Sequence, residues 1–318
     1  MRSLSRSGLA LAVTALLLAG CGAGGARADR TRPGGGTPTA QISHSAGTGG
    51  EAAPGQAARP DKPDAPEQQE QQERPWNVRP ASVASLGDSI TRGFDACDPF
   101  TDCPAVSWAT GTKTAVHSLT SRLAPGTGSW NLARSGARVA DLPAQARAAA
   151  AHHPAMVTVL IGANDACAAT TGAMTPVADF RTAFNGTLAY LHRVLPGTQV
   201  LVASIPDLQH LWSVGRTSVL GRQLWRLGLC PTMLKDPDVV TAAANARRAE
   251  VRNRVIAYNT ALAQVCQHYD RCRFDGGAVF RFPFSSSQLS KWDFFHPNQD
   301  GQAELAKILA GVASGAVL

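Results

Sequence analysis

The sequence predicts a doubly wound α/β domain, and two observations carry that prediction: short, nearly continuous apolar runs, and helix-periodic segments alternating with them. The runs lie at 82–86, 130–133, 156–161 and 199–205, with a weaker one at 271–274. A strand covered by helices on both faces needs no polar alternation, so continuous runs suit a parallel sheet. Between them, 114–123, 141–153, 177–194 and 239–268 place apolar residues at helical spacing, and a last helix over 298–313 closes the chain. Ligands of such sheets bind outside the carboxyl ends of the strands, so functional residues are expected just after the runs.

The 318 residues are 44% hydrophobic and 17% charged, ordinary globular material with room for one or two domains. Arg2 and Arg6 precede a short apolar stretch at 8–20, the charged and apolar parts of an export signal. The stretch is too short to span a bilayer, which takes roughly 20 apolar residues. It ends in Leu18-Ala19-Gly20-Cys21, which resembles the lipobox of bacterial lipoproteins; Cys21 would then be lipidated and become the new N-terminus. An ordinary signal peptide cut near Ala26-Arg27-Ala28 is the alternative. Residues 1–20 are thus expected to be a lipoprotein signal peptide. Residues 21–80, rich in Gly, Pro, Ala and Gln with almost no large apolar side chain, cannot bury enough surface to offset their ordering entropy. They are expected to be a disordered tether with an r.m.s. reach of roughly 40 Å. Residues 81–318 form the expected domain. Without Arg2 and Arg6 the balance is 28 basic against 23 acidic residues, or +5. A surplus that small, without basic clusters interleaved with aromatics, does not describe a nucleic-acid groove.

After Cys21 six cysteines remain: Cys97, Cys103, Cys167, Cys230, Cys266 and Cys272. An even number in an exported chain argues for disulfides. Fifteen connectivities are possible; the two short spacings close small surface loops and favour pairing in chain order. No Cys-x-x-Cys and no His-Glu-x-x-His occurs, so zinc and redox chemistry have no handle here, and no metal or cofactor is expected.

The first run is followed by Gly87-Asp88-Ser89-Ile90-Thr91-Arg92-Gly93, a serine on a tight turn opening a helix. Helix-start N–H groups are ready donors for a developing oxyanion, yet serine needs a base within hydrogen-bond reach, and Ser89 alone would read as a helix cap. The second run leads into Arg134-Ser135-Gly136-Ala137-Arg138 and the third into Gly162-Ala163-Asn164-Asp165. A glycine N–H can approach a bound atom closely, and an asparagine amide can donate to an oxyanion; singly, each also fits an ordinary turn. Near the end stands Asp293-Phe294-Phe295-His296, a spacing that lets the carboxylate hold the imidazole tautomer. Asp88 and Asp165 are read as turn-holding residues. Arg134 and Arg138 are read as solvated charges or an attraction for anionic substrate.

Serine after the first strand, glycine after the second, asparagine after the third and Asp-x-x-His before the last helix together resemble the SGNH, or GDSL-type, hydrolase family, whose four signature residues map onto Ser89, Gly136, Asn164 and His296. The resemblance covers 82 to the end. Absence of Gly-x-Ser-x-Gly weighs against an α/β-hydrolase nucleophile elbow. Val106-Ser107-Trp108-Ala109-Thr110-Gly111, Cys230-Pro231-Thr232 and the cysteine layout look like the secreted actinobacterial branch, with its lipases and esterases. The resemblance implies a flavodoxin-like three-layer α/β/α sandwich with a mostly five-stranded parallel sheet. It also implies a serine ester hydrolase: Ser89 as nucleophile, His296 as base and Asp293 as its orienting carboxylate. The oxyanion would rest on the N–H groups of Ser89 and Gly136 and the amide of Asn164. Some relatives use a backbone carbonyl in place of the aspartate.

Phe94, Phe100, Trp108, Trp292, Phe294 and Phe295 are candidates for an acyl pocket or for core, and 208–238, rich in Leu and Trp, for a helical cover over the site. Expected partners are a small-molecule or lipid ester and, through the lipid anchor, a membrane; the chain is expected to be a monomer on the outer face of the cell membrane, or secreted. A polysaccharide O-acetylesterase and a catalytically silent wall-binding lipoprotein are the rival readings.

Overall fold

The computed structural model describes residues 75–316. The leader, Cys21 and most of the expected tether lie outside the described residues. Five strands, β1 (Ser82–Gly87), β2 (Gly128–Asn131), β3 (Met156–Leu160), β4 (Gln199–Val202) and β5 (Cys272–Phe274), form one sheet in the order β2-β1-β3-β4-β5 with every pair parallel. Every residue of β3 and β4 is buried, the physical reason their runs lack polar alternation.

Helices cover the sheet. Leu142–Ala150 packs beside Val177–Val194, which packs beside Ala242–Cys266; Leu119–Leu123 packs against Gln299–Ser314. Phe180, Phe184, Leu188 and Leu191 recur at helical spacing and are buried, as are Val251, Val255, Tyr258 and Leu262 of the long helix. The Phe180 and Tyr258 rings stack with centroids 4.2 Å apart. This is the flavodoxin-like three-layer α/β/α sandwich that the motif order implied.

β1 has β2 on one side and β3 on the other, so successive connections leave it in opposite directions, and a crevice opens between their carboxyl ends. Gly87 pairs with Leu160, so β1 and β3 end level and deliver their following turns to the same place.

Several boundaries differ from the sequence reading: β2 starts two residues earlier than the run at 130–133 and β4 ends at Val202, and two further differences have a clear cause. The segment 114–123 is helical only over Leu119–Leu123, because His117 takes a left-handed backbone (φ 46°) and the Ser118 hydroxyl caps the helix by accepting from the Ser121 N–H at 3.3 Å. Trp76 and Asn77, assigned above to the tether, are tied to the domain. The Trp76 indole donates to the Ala313 carbonyl at 2.8 Å beneath the Arg273 guanidinium, and the Asn77 N–H donates to the Gln199 side chain at 2.9 Å.

Disulfides join Cys97 to Cys103, Cys167 to Cys230 and Cys266 to Cys272, with Cα separations of 6.0, 4.3 and 5.2 Å. Between β4 and the long helix, 208–238 folds as Leu208–Gly215, Val219–Trp225 and Pro231–Leu234. The fully buried Arg248 fixes the end of this segment, donating to the Val239 and Asp236 carbonyls at 2.8 Å each with its guanidinium over the Trp212 ring. Among the described residues no helix is long and apolar enough to cross a membrane.

Candidate active site

β1 ends at Gly87 with φ +148°, where a Cβ would collide with the Leu160 carbonyl; only glycine lets the chain turn here against β3. The turn holds Asp88, whose Oδ1 accepts the Ile90 N–H at 3.0 Å and starts the short helix Ser89–Arg92. Ser89 is buried, and its Oγ lies 2.9 Å from His296 Nε2.

His296 enters from the loop before the last helix, where Asp293 organises the backbone. Asp293 Oδ1 accepts the N–H groups of Phe295 at 2.9 Å and His296 at 3.0 Å, and its Oδ2 bonds His296 Nδ1. A carboxylate there requires the imidazole proton on Nδ1, which leaves Nε2 to accept the Ser89 hydroxyl. Burial opposes ionisation of Asp293, but the adjoining imidazole and the two N–H groups hold its carboxyl below the usual range. Burial likewise pushes the His296 imidazole down, and the carboxylates around it, Asp293 foremost, outweigh burial and hold it above its ordinary value. A serine, an imidazole and a carboxylate in series are the arrangement needed to deprotonate a hydroxyl as it attacks a carbonyl carbon.

Of the three candidate oxyanion donors, Ser89 and Asn164 stand at the same crevice. Asn164 Nδ2 donates to the Ala137 carbonyl at 3.0 Å, which orients the amide and leaves its second N–H available. Among the described residues neither the Ser89 N–H nor the Gly136 N–H meets an acceptor. Asn164 lines a cavity of about 230 Å³ with Ser89 and His296; Gly136 is exposed on the turn after β2 and is not part of that lining. The turn carrying it is tied to β1 by the Arg134 N–H, which donates to the Gly87 carbonyl at 3.1 Å.

Asp165 and Asp88 hold turns. Asp165 accepts the Val139 N–H at 2.9 Å and the Thr175 hydroxyl at 2.8 Å, and burial raises its carboxyl. Burial also pushes Asp88 up to about 7, against the opposing effects of the Ile90 N–H and His296. Arg134 and Arg138 are exposed.

Much of the remaining cavity wall comes from 208–238: Leu208, Leu211, Leu229, Cys230 and Pro231 line it, so this segment is a cover. Of the six aromatic candidates, only Phe295 lines the cavity. Trp108 is core, Phe100 is exposed on the surface, Phe94 sets its edge against the His296 ring at 5.1 Å, and Trp292 and Phe294 are half-buried outside the lining. Two contributors go beyond what the sequence assigns: Trp225 is expected only as part of the Leu- and Trp-rich cover, and Asp95 is not singled out. Trp225, fully buried in the cover, donates its indole N–H to the Asp293 carbonyl at 2.7 Å. Asp95 is buried beside Asp293 and His296, in a loop with no periodic pattern to flag it.

The description "GDSL-like lipase/acylhydrolase family" belongs to a family model that matches residues 85–304. No curated protein matches the chain. Among solved structures, the acetylxylan esterase Axe2 from Geobacillus stearothermophilus is 17% identical, with 74% of this chain and 96% of that one covered and a TM-score of 0.47. An α/β-hydrolase enzyme from the metagenome of Lake Arreo, Spain, is 18% identical, with 75% and 96% covered and a TM-score of 0.47.

Proposed function

The chain belongs to the GDSL-like lipase/acylhydrolase family, and from that premise we propose that it is a serine ester hydrolase that cleaves carboxylic esters through an acyl-enzyme on Ser89. The observation that carries this reading is the 2.9 Å contact of Ser89 Oγ with His296 Nε2, behind which Asp293 holds the other ring nitrogen. His296 takes the hydroxyl proton as Ser89 Oγ bonds to the ester carbon. The tetrahedral oxyanion rests on the Ser89 and Gly136 N–H groups and the Asn164 amide. On collapse the carbon–oxygen bond to the alcohol breaks, and His296 returns the proton to the departing oxygen. Water then attacks the acyl-serine with His296 again as base, releasing the acid and restoring Ser89.

The leucine-lined cavity beside Ser89 supports an acyl chain as the group held there. A second reading, an O-acetylesterase of polysaccharide, draws on a separate open groove of about 600 Å³ lined by Arg92, Asp102, Asn131, Arg134 and Ser135. These polar groups, set among Leu132, Ala133, Ala144 and Ala148 and beginning one residue before Gly136, suit a polyhydroxylated alcohol moiety. The buried serine–histidine contact argues against a silent binding protein, which has no physical need of it. Export with a lipid at Cys21, as in the secreted actinobacterial branch, fits the three disulfides; the mass of the mature N-terminus tests it.

The test of the enzymatic reading is hydrolysis of p-nitrophenyl esters from acetate to palmitate, and of acetylated polysaccharide, by the full chain and by Ser89→Ala. Turnover by the parent and none by the variant is expected. The chain-length profile then separates a lipase from an acetylesterase. A folded parent that hydrolyses none of these substrates and takes no fluorophosphonate label at Ser89 would overturn it.

A further inference from the structure

Asp95 sits where a merely structural residue has no reason to be ionisable. It lies in the loop after the Ser89 turn with a left-handed backbone (φ 57°) and is 1% exposed. Three bonds fix it there. Its N–H donates to the Thr101 carbonyl at 3.0 Å, its carbonyl accepts the Ser290 hydroxyl at 2.6 Å, and its Oδ1 accepts the Phe100 N–H. Ser290 belongs to the His296 loop, donating its own N–H to the His296 carbonyl at 2.8 Å, so Asp95 is clamped to the segment carrying the base. The Cys97–Cys103 disulfide closes the same loop, and the Trp292 indole donates to the Cys97 carbonyl at 3.2 Å.

The Asp95 carboxyl lies beside the triad. Asp95 Oδ2 meets no donor among the described residues, and the carboxyl lies within 4.8 Å of both the Asp293 carboxylate and a His296 ring nitrogen. Two buried carboxyls this close cannot both ionise cheaply, so one keeps a proton. Asp293 is the one that ionises, because it accepts two backbone N–H groups and the imidazole. We propose that Asp95 is a fourth residue of the site, a positioning residue whose carboxyl shares a proton with Asp293 and through it sets the basicity of His296. The proposal rests on the ester hydrolase reading only in assigning catalysis to His296.

With its proton, Asp95 donates to Asp293 and draws charge away from the imidazole; without it, a second negative charge faces the ring and stabilises the imidazolium. Burial, then Asp293, raise the Asp95 carboxyl to about 6, so this change falls where the imidazole itself titrates. The groups facing Asp95 are Asp293 and His296; His296 also faces Asp88 from the turn after β1. Two cations on the flanking segments are engaged elsewhere: Arg92 pairs with Asp102, and Lys291 lies over the Trp292 ring.

Asp95→Asn is the discriminating variant. Its amide can donate to Asp293 as the protonated carboxyl does, and it never acquires the second charge. Titration of the His296 imidazole by NMR, assigned by its loss in His296→Gln, is expected to move to lower pH by on the order of one unit in Asp95→Asn. The acid limb of kcat/KM for p-nitrophenyl ester hydrolysis is expected to move the same way. A structural role alone would lower kcat uniformly and leave both titrations in place, and that result would overturn the proposal. Should Asp95→Asn fail to fold, carbon-13 titration of the wild-type Asp95 carboxyl decides: a midpoint well above the ordinary carboxylate range is expected, and one within it overturns the proposal. Both NMR readouts need no turnover, so they stay distinct from a failure of the hydrolase reading, which is reported by absent Ser89-dependent hydrolysis.

Discussion

Replacing Asp88 by asparagine isolates one buried carboxyl beside the nucleophile. Asp88 is fully buried; Oδ1 caps the Ser89–Arg92 turn, and Oδ2 has no partner among the described residues. Burial raises its pKa from 3.8 to about 7. The folded protein therefore keeps this proton to higher pH than the unfolded chain does. The stability that Asp88 contributes is fully present below about pH 4 and is lost as pH rises toward 7. A displacement of about 3 units at about 1.4 kcal/mol each amounts to roughly 4 kcal/mol. Asp88→Asn retains the capping oxygen and cannot ionise, so the variant should escape that loss. The assay is denaturant unfolding with disulfides intact, at half-unit steps from pH 4 to 8, comparing variant with wild type. The difference in unfolding free energy should shift in favour of the variant by roughly 4 kcal/mol across that range, with most of the change below pH 7. A difference that stays flat with pH would refute the reasoning, since it would mean that Asp88 ionises in the folded state as easily as in the unfolded one.

Four further outcomes follow from the structure. Because the carboxylates around His296 hold its imidazole above the ordinary value, kcat/KM should rise with pH through a midpoint above 6.5, and a midpoint below that value would contradict the geometry. Asp293→Asn should lower kcat by about 10⁴-fold, because the amide cannot hold the Nδ1–H tautomer; steady-state kinetics checks this. Asn164→Ala should lower kcat by about 10²–10³-fold with KM little changed, and a change confined to KM would remove Asn164 from the oxyanion site. Opening Cys167–Cys230 by Cys167→Ala with Cys230→Ala releases a cross-link spanning a sequence separation of 63. This should cost about 4 kcal/mol in denaturant unfolding.

The candidate site was legible as a cluster because each of its residues sits at a place the fold makes special. Ser89 and Asn164 follow β1 and β3, whose level ends flank the switch point, and Asp293 and His296 are three apart on one loop. Apolar runs located those strand ends, and chain order did the rest. The surroundings of the site were less legible, for a different physical reason. An aromatic residue near a motif has a large area to bury, and nothing local says against what. Trp108 spends its area in the core, donating its indole to the Thr91 hydroxyl at 3.3 Å, while the cavity is walled by leucines from a segment distant in sequence. Asp95 was invisible for the same reason. Its meaning lies in a contact with Asp293 across almost the whole domain, and its own loop shows only a cysteine pair.

The cover does more than wall the cavity. At one end Trp225 holds the Asp293 carbonyl, and Gly215 packs so closely on Phe294 that a Cβ would collide with the Phe294 carbonyl. At the other end Cys230 is bonded to Cys167, three residues past Asn164, and Thr232 donates its hydroxyl to the Ala166 carbonyl at 2.6 Å and its N–H to the Ala168 carbonyl at 3.2 Å. One segment thus touches both the loop that orients the base and the turn that presents an oxyanion donor. Leu229, half-buried in the lining, is separable from that bracing, whereas Leu208 and Leu211 line the cavity and also pack in the core. Trp225, Gly215, Cys230 and Thr232 are not separable, because displacing them moves a catalytic loop along with the wall. On the ester hydrolase reading, changes confined to Leu229 are expected to alter acyl selectivity with least disturbance of the catalytic loops, whereas a rearrangement of the whole cover must rebuild the positions of Asp293 and Asn164.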